Sequence, residues 1–345
     1  MIRLTTPLPN PGTEYEREAV AFCREWLEGQ PAFQLQTSGS TGTPKPIVLT
    51  RYQMEASARL TGDTFGLEPG DKALCCLNIR YIGGRMMLVR TLELGLDTWL
   101  VEPDAEPLRG LEEIPFAFAA FVPLQLQTLL GHTDRYLPAL SRMKAIIIGG
   151  AAVSGALLEQ LQVIQAPVYS TYGMTETVSH IAIQRLNGPD ADGLFHALKG
   201  VDLSLDGRQC LAITAAASNH ERIQTNDVAE LFPDGSFRLL GRFDNIINSG
   251  GIKIQLEKTE QLAETRLARF FPDSRFFAWG FPDERLGQKL GLVVETTQIP
   301  DAEEILTELR GLFPPYQHPQ LIRSISAFSE TPSGKIDKRQ TVARL

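Results

Sequence analysis

The chain has 345 residues, a formal charge of −8 and an ordinary apolar share, enough for a sizeable core and about two domains. The net negative charge argues against nucleic acid as the main partner. Four cysteines (Cys23, Cys75, Cys76 and Cys210) without CxxC spacing speak against a zinc site or a disulfide framework and suit a reducing compartment.

The opening residues, MIRLTTPLPNPG, lack the apolar run of a signal peptide, and no apolar run approaches a membrane span. The expectation is a cytoplasmic protein without membrane insertion. Residues 13–28, TEYEREAVAFCREWLE, have helical periodicity with Val20, Phe22, Cys23, Trp26 and Leu27 on the apolar side. Residues 32–36 alternate like a strand and lead into TSGSTGTPKP at 37–46. Ile47-Val48-Leu49 then reads as a short strand, and Thr50 as the cap of a helix running to about Leu60. Lys45 follows Pro44, and a strand rather than a helix comes next, so the loop is neither a Walker loop nor a dinucleotide fingerprint. Two readings stand: a solvated turn, or a nest of backbone N–H groups around an anion, with the Thr37, Ser38, Ser40 and Thr41 hydroxyls and the Lys45 charge.

Ala145 to Ile148 is a buried-strand run ending in Gly149-Gly150. Ser154 caps a helix over GALLEQLQVIQ, and Pro167-Val168-Tyr169 begins a second strand ending near Tyr172-Gly173. This is a βαβ unit whose glycines lie at the carboxyl ends of its strands, the edge where open α/β sheets bind ligands. Residues 228–240, VAELFPDGSFRLL, predict a hairpin turning at Asp234-Gly235, which would set Asp227 beside Arg242 at its open end. After Arg242 the pattern changes to strand and helix over 251–269, two strands over 275–295, a helix over 301–312 and a strand over 320–328. This α+β tail has its own small core, with a boundary at about Asp244. The fold class is therefore α/β: a large N-terminal α/β domain with mixed sheets (1–243) and a small mobile α+β C-terminal domain (244–345).

TSGSTGTPKP resembles the phosphate loop of the adenylate-forming superfamily, usually TSGTTGxPKG, with Pro46 in place of its last glycine. TYGMTET at 171–177 is similar to that superfamily's second signature. The resemblance implies ATP contacts from Thr37, Ser38, Gly39, Ser40, Thr41, Gly42 and Lys45. It implies adenine stacking by Tyr172, with Gly173 beside it and Gly149, Gly150 and Ala151 as the wall. Thr175 would meet the α-phosphate and Glu176 would help hold Mg²⁺. Asp227 in TNDVAEL resembles the ribose-binding aspartate, although Asn226 stands where glycine is usual. Arg242 in GRFDN resembles the arginine that also reaches ribose or phosphate. Asp244 resembles the hinge residue, Glu257 falls at an acidic position after the hinge, and Lys335 in TPSGKIDKR resembles the catalytic lysine of the terminal signature. Five signatures in the family's order cover nearly the whole chain. Residues 1–243 then read as a shortened AMP-binding domain and 244–345 as a lid carrying the lysine.

The activity implied is acid–CoA ligation with ATP, CoA and Mg²⁺ through an acyl-adenylate. The 36 residues before the loop, RYIGGRMMLVRTLELG at 80–95, FHALKGVDLS at 195–204 and GRFDNIINSGGIKI at 241–254 look similar to short o-succinylbenzoate–CoA ligases of menaquinone synthesis. Tyr81 replaces the histidine usual in that first stretch. A substrate with two carboxylates needs a second cation, for which Arg80 and Arg85 are candidates, although a solvent-facing or packing role is the plainer reading of either arginine. His180 is a further candidate lining residue. The alternatives are loading of another aryl or fatty acid onto CoA or a carrier-protein thiol, and an inactive nucleotide-binding remnant. A homo-oligomer is one way for a shortened domain to cover its sheet.

Overall fold

The computed structural model describes residues 1–5, 7–36, 46–272, 274–331 and 336–345. The phosphate-loop residues Thr37, Ser38, Gly39, Ser40, Thr41, Gly42 and Lys45, and the terminal Lys335, lie outside the described residues. The chain forms two compact units. One takes Met1–Ser204, Ala212–Ile223 and Leu231–Arg238; the other takes Leu205–Leu211, Gln224–Glu230 and Leu239–Leu345. Position 244 thus falls inside the second unit, in a single 3₁₀ turn, Phe243–Asn245.

The first unit opens with β1 (Ile2–Leu4), α1 (Glu14–Leu27), β2 (Ala32–Gln36), β3 (Pro46–Thr50) and α2 (Arg51–Phe65). Next come β4 (Lys72–Cys75), α3 (Ile82–Leu94), β5 (Asp97–Leu100), β6 (Phe118–Phe121), α4 (Pro123–Leu130) and α5 (Thr133–Ser141). Then follow β7 (Ala145–Ile148), α6 (Gly155–Leu161), β8 (Val168–Gly173), β9 (His180–Arg185) and β10 (Phe195–Ala197). The main sheet runs in the order β1-β5-β4-β6-β7-β8-β9-β10. Its centre, β5 to β8, is parallel, and β1, β9 and β10 add antiparallel neighbours. Parallel strands are buried on both faces and so read as unbroken apolar runs. In β6, Phe118 and Ala120 join one core with residues of α1, α2 and α3, while Ala119 and Phe121 join the opposite core with residues of α4, α5 and α6.

The helix starts follow the expected caps. Thr13 and Thr50 each close a capping box, and the Ser154 hydroxyl accepts from the Leu157 N–H. Three details differ from the sequence reading. Leu27 is exposed, because α1 ends beneath it and its buried face stops at Trp26. Helix α2 continues to Phe65 and ends on Gly66 in the left-handed region. Gly62 does not break it: a Cβ there would lie 2.8 Å from Leu94, so glycine lets α2 and α3 pack closely. Helix α6 stops at Leu161, before the β-branched Val163-Ile164 pair and Pro167.

Four more strands follow: β11 (Asp202–Leu205), β12 (Cys210–Thr214), β13 (Ile223–Leu231) and β14 (Ser236–Arg242). The β13–β14 hairpin turns one residue earlier than expected: the Gly235 N–H donates to the Phe232 carbonyl at 3.0 Å, so Pro233 and Asp234 are the central residues and Gly235 follows at φ +84°. Its turn end belongs to the first unit and its open end to the second. The remainder of the second unit contains β15 (Ile246–Ser249), β16 (Ile252–Gln255), α7 (Leu256–Phe270), β17 (Phe276–Asp283), β18 (Gly287–Glu295), α8 (Ala302–Arg310), β19 (Leu321–Ile325) and α9 (Lys338–Val342). Its sheet runs β16-β15-β18-β17, with β19 parallel to β18. Ala263, Leu267, Leu292, Val294, Ile305 and Leu309 share a core of their own. Among the described residues no helix is long and apolar enough to cross a membrane.

Candidate active site

In the first unit the candidate residues gather at the carboxyl ends of β7 and β8. Gly149 donates its N–H to the Phe121 carbonyl at 3.1 Å, and a Cβ at Gly149 would lie 3.0 Å from the Thr171 hydroxyl. Gly150 takes φ +88°, which a side chain would strain. Ala151 beside it is exposed, so small residues line this strand end. The Tyr172 ring packs edge-on to Phe237 with centroids 5.4 Å apart and lies 5.9 Å from Phe195. The two phenylalanines stack on each other, fixing the tyrosine at the carboxyl end of β8.

The segment after β8 is a closed loop. A Cβ on Gly173 would fall 2.1 Å from the Ser179 carbonyl, so only glycine fits where the two ends of the loop meet. Thr175, Glu176 and Thr177 form one 3₁₀ turn, with Thr175 buried and Glu176 exposed. The Met174 N–H donates to the Thr177 hydroxyl at 3.1 Å, and that hydroxyl is 3.0 Å from the Ser179 carbonyl. Val178, fully buried, takes φ 64° and ψ −58°. Among the described residues no group of three or more His, Cys, Asp or Glu converges as a metal cage.

Arg80, Arg85 and Tyr81 do not converge on one point. The Arg80 guanidinium donates to Glu18 and Glu14 of α1, and it borders a 420 Å³ cavity that Glu102 also lines. Its charge is therefore already met by acids. Arg85 donates to the Ile79 carbonyl at 2.9 Å and lies over the Phe22 ring at 4.5 Å. Tyr81 stands at the N-cap of α3 without capping it through its side chain.

His180 is buried, with Nε2 3.4 Å from the Thr61 hydroxyl and Nδ1 3.3 Å from the Ser179 hydroxyl. Burial, and then the neighbouring Arg90 charge, push its imidazole down to about 3. That neighbour was not singled out in the sequence. Arg90 is 1% exposed and donates to the Thr61 hydroxyl at 3.1 Å, the Ser179 hydroxyl at 2.9 Å and the Met87 sulfur at 3.6 Å. Among the described residues no carboxylate pairs with it. Burial pushes the guanidinium down to about 10. Buried arginines normally have an acidic partner, so this cation is an exception. The available signal was a lone charge inside the apolar helical run MMLVRTL.

In the second unit the hairpin delivers Asp227 to Arg242 at 3.2 Å, the neighbourhood expected from the turn. Arg242 also makes a two-pronged contact with Asp244, at 2.9 and 2.8 Å. The Arg242 partner holds the Asp244 carboxyl below the usual carboxylate range. The Gln255 amide donates to the Arg242 carbonyl at 2.9 Å and to Glu257 at 2.5 Å, and Glu257 accepts from Asn245. These bonds clasp both sides of the 3₁₀ turn that carries position 244.

Residues 7–198 match the family model described as AMP-binding enzyme. The 2-succinylbenzoate–CoA ligase of Listeria monocytogenes (serotype 4b, strain F2365) is 27% identical over 356 residues, covering 96% of this chain and 74% of that protein. An acyl-CoA synthetase (AMP-forming)/AMP-acid ligase II-like protein from Dyadobacter fermentans is 43% identical, with a TM-score of 0.67 and coverage of 98% and 97% of the two chains. The O-succinylbenzoate coenzyme A synthetase of Bacillus subtilis, solved with ATP and magnesium ion, has a TM-score of 0.77 at 20% identity, covering 90% of this chain and 69% of that one.

Proposed function

Because the chain belongs to the AMP-binding enzyme family, we propose that it is an AMP-forming acid–CoA ligase whose acid is 2-succinylbenzoate. The observation that carries the choice of acid is Arg90, a buried guanidinium with hydroxyl and sulfur partners but no described carboxylate. A cation kept in that state awaits an anion. An acid bearing a second, non-reacting carboxylate supplies one, whereas a simple aryl or fatty acid does not. The Listeria relative's name points the same way.

In the first step one carboxylate of the acid attacks the α-phosphorus of ATP, and pyrophosphate leaves with the pair of electrons from the broken P–O bond. Positioning and charge stabilisation do most of the work in such a transfer. Residues 37–45 hold the β- and γ-phosphates through backbone N–H groups, hydroxyls and Lys45. Tyr172 and the Gly149-Gly150-Ala151 edge face the adenine, Asp227 and Arg242 hold the ribose, and Thr175 meets the α-phosphate. Glu176 fits a Mg²⁺ ion, which takes most of its ligands from phosphates and water and needs only one or two carboxylates. When bound, that ion neutralises charge on the phosphates. Lys335 screens the repulsion between the attacking carboxylate and the α-phosphate.

In the second step the CoA thiol, as thiolate, attacks the acyl carbon and AMP leaves. The segment from 244 onward turns about Asp244 between the steps, withdrawing Lys335. Pyrophosphate release with Mg-ATP, across a panel of acids with and without CoA, tests the proposal. It predicts release with 2-succinylbenzoate and consumption of CoA thiol. Release without thiol consumption points to a carrier-protein acceptor. A preference for benzoate or a fatty acid overturns the choice of acid, and no release with any acid overturns the activity.

A further inference from the structure

Val178 is the most strained residue of the candidate site. A β-branched side chain at φ 64° is a genuine outlier, since its branch crowds the backbone there. The Ser179 N–H closes back on the Thr177 carbonyl at 2.7 Å, making a γ-turn of the rare positive-φ kind. Such a conformation persists only where its surroundings over-determine it. Here they do so three times. The Thr177 hydroxyl ties Met174 to Ser179, Gly173 admits the Ser179 carbonyl into space a Cβ would fill, and Val178 itself is sunk in the core.

The strained turn reaches two side chains through the Ser179 hydroxyl, His180 Nδ1 at 3.3 Å and the Arg90 guanidinium. It aims the Ser179 hydroxyl at Arg90, which donates to it at 2.9 Å, while the 3₁₀ turn three residues earlier presents Glu176 to solvent. Thr61 fixes the same guanidinium from α2 at 3.1 Å. Among the described residues, two hydroxyls and a thioether take three of the five donors of Arg90. We propose that Ser179, held by the strained turn at Val178, is a positioning residue. It registers the acid-holding face of Arg90 against the Thr175–Glu176 turn, so that a diacid seated on Arg90 presents its other carboxylate to the nucleotide at a set distance. This rests on the reading that Arg90 receives the second carboxylate.

The test uses the whole chain and two acids, 2-succinylbenzoate and 4-oxo-4-phenylbutanoate, which keeps the reacting arm and lacks the ring carboxylate. Pyrophosphate release gives kcat and KM for each acid with the parent, Ser179→Ala, Ser179→Thr, Arg90→Met and the double variant. Losing a hydrogen bond to a charged group lowers the diacid-over-monoacid preference of Ser179→Ala by about 10-fold or more, chiefly in kcat. Ser179→Thr restores most of it, and Ser179→Ala adds little in the Arg90→Met background. Thermal unfolding of each variant accompanies the kinetics, and Ser179→Cys stands in if Ser179→Ala does not fold. An equal fall with both acids, or an additive double variant, overturns the role of Ser179. A parent protein with no preference for the diacid removes the underlying reading, and this one with it. A parent that prefers the diacid beside a Ser179→Ala variant that keeps the preference removes this one alone.

Discussion

Replacing Arg90 with methionine should make the protein no less stable and yet strip it of its preference for a diacid. Methionine follows the path of the arginine stem and leaves out the charge. The descent of the guanidinium to about 10 corresponds to about 3 kcal/mol spent on burying a cation that has no carboxylate partner among the described residues. Against the removal of that cost stand the Thr61 and Ser179 hydroxyls, each losing a charge-assisted hydrogen bond of about 1.5 kcal/mol. The two sides nearly cancel, so the melting temperature should stay about level. The activity should fall. A carboxylate held by two charge-assisted bonds of about 1.5 kcal/mol each loses about 3 kcal/mol, a factor of about 10² in kcat/KM. The monoacid analogue, which leaves Arg90 unsatisfied in the parent, loses far less. Pyrophosphate release at fixed Mg-ATP, beside thermal melts of both proteins, reads the two halves. Equal losses with both acids, or a protein that no longer folds, would show that Arg90 is a structural cation and refute the reasoning.

Other expectations follow from the same geometry. Lys335→Ala should slow adenylate formation by about 10² to 10³, the usual cost of one fixed electrostatic donor, while a supplied acyl-adenylate still reacts with CoA; single-turnover assays of each half-reaction separate the two. Asp244→Pro should leave pyrophosphate release intact and block thioester formation, whereas loss of both would deny a hinge at 244. His180 titrates near 3 in the fold and near 6.5 when unfolded, so the unfolded chain binds the extra proton between those values. Its contribution is fully present above pH 6.5 and is lost as pH falls, at about 1.4 kcal/mol per unit down to about pH 3. Melts at pH 7.5 and 5.5 should show a smaller acid loss in His180→Gln than in the parent. Gly173→Ala should destabilise by about 1–3 kcal/mol, seen as a lowered denaturant midpoint, because its Cβ would lie 2.1 Å from backbone.

The parts of the fold set by local rules could be read from the chain. AIII at 145–148 is apolar throughout because β7 is covered on both faces, and Thr13, Thr50 and Ser154 cap helices by hydrogen bonds within three residues. The Asp227–Arg242 pair was reachable because a tight turn fixes which residues face each other. Arg90 was not reachable, since its two hydroxyl partners stand 29 and 89 residues away and only the tertiary fold assembles them. For the same reason Arg80 looked available, until α1 brought Glu18 from 62 residues away. The turn at Val178 gave no warning either. Sequence reading finds positive φ through glycine or asparagine, and TETVSH contains neither.

What escaped the sequence shares a location. A buried cation at Arg90 with no carboxylate partner among the described residues, a β-branched residue at positive φ and a glycine jammed against a carbonyl are each unfavourable in isolation. All three lie on or against the loop from Gly173 to His180. One turn of α2 before Thr61, the Ser57 hydroxyl is buried without a partner among the described residues. Folding alone would select against each of them: an apolar residue at 90 would bury more cheaply, and a glycine at 178 would relax the turn. Departures from local rules that gather at one place are the mark of a site in which binding, not folding, sets the residues. The loop also carries Thr175 and Glu176, so one short segment runs from the proposed nucleotide contacts to the proposed acid contact. Such a short, over-constrained connection gives a direct physical reason for acid and ATP to be aligned with each other before the carboxylate attacks.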